Sequence, residues 1–207
     1  MIKRGVIGLG AAGKLTLKLP DGSERPIEPP ARVRSVAFLV MDCSGSMAGD
    51  KLAQAKRGAE DFARSALRGG YLIGVVAFGD DAHIATGPEA TEVILHSALA
   101  SLTAGGGTNL TAGLTLAASN LEDRRTQRAI VVVTDGQPND RESALVVARA
   151  ASQAGIRIIA IGTDDADAAF LASLSTAPDL AAFVDASNLR EGVATAARLL
   201  LPGKRSP

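Results

Sequence analysis

Five oxygen-bearing side chains stand at three places in the chain: Asp42, Ser44 and Ser46 in Asp42-Cys43-Ser44-Gly45-Ser46, Thr108 behind Gly105-Gly106-Gly107, and Asp135 in Thr134-Asp135-Gly136. Two carboxylates and three hydroxyls, with no histidine or thiol in a ligand pattern, suit a hard cation: Mg2+ or Mn2+, with Ca2+ as a further option. Ser44 and Ser46 are two residues apart on an extended turn, so both hydroxyls can face the side of Asp42, and Gly45 lets the backbone turn tightly between them. The two acids balance a divalent ion in charge. If they reach it through water, the direct ligands are neutral hydroxyls, and the ion stays electrophilic enough to take a further anionic ligand from outside. The plainer alternative is that Asp42 and Asp135 cap helices or form turns, and that the three glycines are an ordinary loop.

These residues need a scaffold that gathers them. From Val36 the chain alternates strand and helix. Val36–Met41, Tyr71–Phe78, Ala129–Val133, Ile156–Ile161 and Ala181–Val184 read as strands, most of them continuous apolar runs as expected of strands covered on both faces. His83–Thr86 reads as a short antiparallel edge strand after a tight turn. Apolar residues at helical spacing (Leu52, Ala55, Ala59, Phe62, Ala63, Ala66) predict a helix ended by Gly69-Gly70. Further helices are predicted at 89–101, 110–121, 141–153, 166–174 and 189–201. The pattern predicts a Rossmann-like, doubly wound, mostly parallel six-stranded sheet with one antiparallel edge strand and helices on both faces. In such sheets ligands bind beyond the carboxyl ends of the strands, which is where Asp42 and Asp135 fall.

Residues 1–34 differ in texture. Leu15, Leu17 and Leu19 alternate with Thr16 and Lys18, Pro20-Asp21-Gly22-Ser23 signals a turn, and Ile27 can begin a return before Pro29-Pro30. This predicts an N-terminal β-hairpin docking by its leucine face and a proline-stiffened joint (1–34), a main domain over 35–201, and a tail at 202–207. Gly8-x-Gly10-x-x-Gly13 imitates a dinucleotide fingerprint, but a strand pattern follows where a helix is required.

Composition narrows the class. The 207 residues carry 22 Lys and Arg against 22 Asp and Glu, which disfavours a general grip on nucleic acid. A single cysteine, Cys43, excludes an intrachain disulfide and a cysteine-cluster zinc site. Lys3 and Arg4 precede an apolar stretch, but glycines break it and no small-x-small cleavage site follows. No apolar run approaches the roughly 20 residues of a membrane span. The chain therefore reads as a soluble cytoplasmic protein.

Asp42-x-Ser44-x-Ser46, Thr108 in Gly-Gly-Gly-Thr-Asn and Thr-Asp135-Gly, in this order from residue 35 to about 200, resemble the von Willebrand factor A (vWA) domain and its metal-ion-dependent adhesion site (MIDAS). The resemblance implies that Ser44, Ser46 and Thr108 coordinate the metal directly, and Asp42 and Asp135 directly or through water. It implies a protein-binding module without enzymatic activity, whose partner supplies an Asp or Glu to the metal. Among soluble bacterial members it implies work beside MoxR-type AAA+ ATPases or in assembly and stress complexes. A partner would then meet a rim of Met47, Phe78-Gly79, Asn109 and Gln137-Pro138-Asn139.

The competing chemistry is a Mg2+-dependent phosphohydrolase of the haloacid-dehalogenase type. It also places an aspartate after the first strand, but it needs an acid two positions later, where Ser44 stands, and an unperturbed hydroxyl is a poor proton donor to a leaving alkoxide. Cys43 reads as a small core residue turned away from the metal. His83 and His96 read as ordinary surface or half-buried side chains. In Asp164-Asp165-x-Asp167 the expected role is capping a helix at Ala168.

Overall fold

The computed structural model describes residues 6–9, 15–18, 23–26, 35–121, 127–136, 138–163 and 165–200. The chain divides into two compact units, residues 1–33 and 34–207.

In the first unit, β1 (Val6–Leu9), β2 (Leu15–Lys18) and β3 (Glu24–Pro26) form an antiparallel sheet in the order β1-β2-β3. The sequence reading of a hairpin is therefore one strand short: glycines on either side hid Val6–Leu9, which pairs along β2 from Val6 opposite Lys18 to Leu9 opposite Leu15. The return strand starts at Glu24 rather than Ile27. Gly8 sits opposite Thr16 within this ladder. β1 is thus followed by an antiparallel partner, and the glycine pattern opens no nucleotide-binding helix. The expected leucine docking face, the joint at 27–34 and the tail at 202–207 lie outside the described residues and side chains.

The second unit is built on a six-stranded sheet in the order β6-β5-β4-β7-β8-β9. The strands are β4 (Ser35–Asp42), β5 (Tyr71–Phe78), β6 (Ala82–Thr86), β7 (Arg128–Thr134), β8 (Ile156–Thr163) and β9 (Ala181–Val184). All pairings are parallel except β5 with the edge strand β6. The helices are α1 (Asp50–Arg68), α2 (Glu92–Ser101), α3 (Leu110–Ser119), α4 (Arg141–Gln153), α5 (Ala168–Leu174) and α6 (Leu189–Leu200). Two predicted helices begin later than their apolar patterns: Thr91 caps α2 by accepting from Ile94 N, and Asp167 caps α5 by accepting from Phe170 N.

Strand alternation makes two cores. Ala37, Leu39 and Met41 of β4 pack with α1, α2 and α6, while Phe38 and Val40 pack with α3, α4 and α5. Burying one such side chain is worth about 1.5–3 kcal/mol, so two apolar layers around β4, β7 and β8 stabilise the sheet without a ligand. Glycine sets two close approaches. A Cβ on Gly74 would overlap the Phe38 ring, and one on Gly58 of α1 would lie 2.7 Å from the Arg190 carbonyl of α6. Strand order then decides where a site can form. From β4 the chain first moves outward to β5 and β6, then crosses back to β7 on the other flank. The crevice at this reversal opens beyond the carboxyl ends of β4 and β7.

Candidate metal centre

Four loops meet in that crevice, laced by backbone hydrogen bonds. Gly45 N donates to Gly106 O (3.0 Å) and Gly105 N to Cys43 O (2.8 Å), tying the loop after β4 to the glycine run. Asn109 N donates to Gly79 O (2.7 Å), and Asn139 N to Thr108 O (3.0 Å), tying the glycine run to the loops after β5 and β7. Gly107 N donates to Asp80 Oδ1 at 2.7 Å. Gly106 has φ +75°, and a Cβ there would overlap the Asp80 carboxylate. Gly106 is therefore required by a left-handed backbone and a close approach, and the run it anchors leads into Thr108.

The five predicted residues converge. Asp42 is fully buried at the end of β4. Its Oδ1 accepts from Ser44 N at 2.8 Å and its Oδ2 from Thr134 Oγ1 at 2.5 Å. Ser44 Oγ lies 3.0 Å from Ser46 Oγ, which donates to Asp135 Oδ1 at 2.8 Å. Thr108 Oγ1 and Ser46 Oγ lie 4.0 and 3.8 Å from the place where a Cβ on Gly136 would be. Both hydroxyls thus border one point beside Asp135, and the glycine keeps that space open. Ser44 and Asp135 are buried, Thr108 is half-buried and Ser46 is exposed. The cluster is closed below and open above.

Neither aspartate caps a helix. The residue before α1 is Gly49, which offers no side-chain bond, and α4 is capped by Asp140 through Ser143 N. Asp42 makes a local turn bond to Ser44 N, so the turn-forming role is real but leaves its position at the site intact.

Electrostatics fit a cation. Burial pushes the Asp42 carboxyl above the usual carboxylate range, against the lowering effect of its bonds to Ser44 and Thr134. Two acids held this close and this dry are costly without a nearby positive charge. One is present: Lys51 Nζ donates to Asp135 Oδ2 at 2.6 Å and to Asp165 Oδ2 at 2.9 Å. Its hydrogen bonds to Asp135, then Asp165, raise it above the ordinary lysine range. The oxygen spacing fits as well. Octahedral coordination at about 2.1 Å places neighbouring ligand oxygens about 3 Å apart, close to the Ser44–Ser46 and Ser46–Asp135 separations. Among the described residues no three His, Cys, Asp or Glu side chains form a metal-holding group. The oxygens gathered in the crevice are instead a mixed hydroxyl and carboxylate set, from Asp42, Ser44, Ser46, Thr108 and Asp135.

Some expectations change. Met47, Phe78 and Pro138 are buried and cannot form a rim, and Gln137 lies outside the described residues. Met47 ends a 3-10 turn, Gly45–Met47, that tucks it into one core, and Phe78, the last residue of β5, packs into the other. The exposed rim includes Gly45, Asp80, Gly105, Gly106, Asn139 and Asp165. Cys43 is buried with Met41 and Met47, and its thiol is pushed up to about 11, chiefly by desolvation. His83 is exposed on the edge strand, and His96 pairs with Glu60 at 3.0 Å away from the crevice. Asp167 caps α5, as the sequence implies, whereas Asp165 turns to Lys51. Lys51 carried no motif to mark it. Only the β7-β8 neighbourhood in the sheet brings Asp165 beside Asp135 and so shows what lies between them.

A family model for the von Willebrand factor type A domain matches residues 37–195. No curated protein sequence matches the chain. Among solved structures the fold is similar to proximal thread matrix protein 1 from the mussel byssus (20% identity over 81% of this chain and 47% of that one, TM-score 0.69). This chain therefore spans about half of that protein's length. Another structure of the mussel protein has a zinc-occupied MIDAS motif. The fold is also similar to the vWF domain of the type V pili tip protein Mfa5 from Porphyromonas gingivalis (15% identity, 84% and 98% coverage, TM-score 0.70). A third likeness is manganese-loaded TRAP protein of Plasmodium vivax (19% identity, 80% and 74% coverage, TM-score 0.66). Among the described residues no helix is long and apolar enough to cross a membrane.

Proposed function

Because the chain belongs to the von Willebrand factor type A domain family, we propose that Asp42, Ser44, Ser46, Thr108 and Asp135 hold a divalent cation, Mg2+ or Mn2+, and that a partner protein docks there through an Asp or Glu. The observation that carries this reading is the oxygen chain Ser44 Oγ, Ser46 Oγ and Asp135 Oδ1, stepped at 3.0 and 2.8 Å above the buried Asp42. Ser44, Ser46 and Thr108 supply neutral donors, while Asp42 and Asp135 supply charge from below. Bound there, the cation offers an electrophilic position to an external hard oxygen ligand. The exposed rim decides which partner fits, and without the cation a partner carboxylate faces Asp42 and Asp135, so attraction becomes repulsion.

The partner class we propose testing first, drawn from the family resemblance, is a MoxR-type AAA+ ATPase. A hydrolase reading finds less support: Asp42 is enclosed by Ser44 N and Thr134 Oγ1, and Ser44 stands where a general acid is needed. Calorimetric titration of EDTA-treated protein with Mn2+ should show one site, lost in Asp42→Ala/Asp135→Ala. Capture of a purified MoxR-type ATPase should require Mg2+ or Mn2+ and fail with Ser46→Ala. Absence of binding at millimolar metal refutes the site, and equal capture in EDTA refutes its role in docking.

A further inference from the structure

The site already contains a cation of its own. Lys51, the second residue of α1, bridges two carboxylates of opposite character: the Asp135 side chain is fully buried, and that of Asp165 is 65% exposed. Asp135 divides its oxygens, Oδ1 accepting from Ser46 and Oδ2 from Lys51. The ammonium and a proposed ligand hydroxyl therefore share one carboxylate. A divalent ion arriving at Ser44 and Ser46 meets a positive charge on the far oxygen of the acid it needs.

We propose that Lys51 is a tethered counter-cation that neutralises Asp135 in the metal-free protein, withdraws onto Asp165 as a divalent ion takes Asp135, and thereby lowers the affinity of the site for metal. This rests on the metal-binding reading above. Three features support the exchange. Removing the ammonium from buried Asp135 with nothing in its place strands a dry carboxylate next to buried Asp42, so the metal-free site needs Lys51. Lysine is a compact charge on a flexible four-carbon stem, able to pivot between acceptors where arginine's planar fork is held by its geometry. Asp165 already bonds the ammonium, so withdrawal gives up one ion pair and keeps the other.

The experiment is calorimetric titration of EDTA-treated full chain with Mn2+, together with thermal melts in EDTA and in Mn2+. It compares wild type, Lys51→Met, Lys51→Gln, Asp165→Asn and the Lys51→Met/Asp165→Asn double variant. Lys51→Gln keeps a hydrogen-bond donor for Asp135 and serves if Lys51→Met does not fold. Loss of a like charge at this range should tighten the Mn2+ Kd by at least about tenfold in both Lys51 variants. Their metal-free melting temperature should fall, and the rise on adding Mn2+ should grow. Asp165→Asn should weaken Mn2+ severalfold with Lys51 present and by no more than about twofold with Lys51→Met, since its action runs through the ammonium. Unchanged or weaker affinity in both Lys51 variants overturns this proposal and leaves the metal site standing. Equal Asp165→Asn effects in both backgrounds overturn the hand-over. Failure of wild type and every variant to bind millimolar Mn2+ overturns this proposal and the metal reading together.

Discussion

Asp42→Asn separates a carboxylate kept for structure from one kept for a cation. The Asp42 carboxylate is fully buried, its ionised form is disfavoured by desolvation, and it accepts from Ser44 N and Thr134 Oγ1. An asparagine in the same place keeps one oxygen for Ser44 N. Its amide can donate to Thr134 Oγ1, which already accepts from Gly136 N and has a second lone pair. The exchange trades one charge-assisted bond for a neutral one and removes a desolvated charge. The net change in EDTA is therefore within about 1 kcal/mol of wild type, in either direction. In Mg2+ the two proteins diverge. At a hundredfold excess over Kd, a ligand that binds only the native state adds about 2.7 kcal/mol. For a domain of 150–250 residues each kcal/mol raises Tm by roughly 2–4 °C, so wild type gains about 5–11 °C and Asp42→Asn none. The assay is paired thermal melts of both proteins in EDTA and in saturating Mg2+. A loss of several kcal/mol for Asp42→Asn in EDTA would show that the carboxylate holds the fold together, and a retained Mg2+ shift would remove it from the ligand set.

Three other outcomes follow from the same geometry. Gly106→Ala requires a strained positive φ and displaces the Asp80 carboxylate from the glycine run, so Mn2+ binding should weaken at least about tenfold by calorimetry while far-UV circular dichroism is unchanged. Cys43, with its thiol raised from 9.0 to about 11, ionises less in the folded than in the unfolded chain. Its alkylation at pH 7 should be about a hundredfold slower folded than in denaturant on ionisation alone, and comparable rates would contradict its burial. The same shift makes this thiol's contribution to stability fall as pH rises from 9 toward 11, because the unfolded chain ionises first. Gly58→Ala drives a methyl into the Arg190 carbonyl and Val193, and should destabilise the domain by about 1–3 kcal/mol in urea titration without altering Mn2+ affinity.

What the amino-acid sequence determines by itself is local. Apolar runs specify strands and apolar residues at helical spacing specify helices, and Tyr71–Phe78, Ala181–Val184 and the helix at 141–153 are found with their predicted limits. Asp-x-Ser-x-Ser, the glycine run before Thr108 and Thr-Asp-Gly follow strands or precede helices, so their place at one end of the sheet was also legible, as was the family. Where local signals overlap, the reading blurs. Caps at Thr91 and Asp167 trimmed two helices, and glycines around Val6–Leu9 concealed a strand that only its pairing with β2 makes visible. The tertiary structure alone decided which way each loop residue turns. Met47 and Phe78 neighbour Ser46 and the crevice loops in sequence, yet a 3-10 turn buries Met47 in one core and the alternation of β5 buries Phe78 in the other. It alone decided that Arg128, at the start of an apolar strand, would be buried with its guanidinium donating to Leu121 O and Ala154 O at the chain segments ending α3 and α4. And it alone brought Lys51, Asp135 and Asp165 together, since the contact depends on β8 lying beside β7 and on the start of α1 reaching across both strand ends. Strand order is set by the balance of the whole sheet, and no short stretch of sequence encodes it.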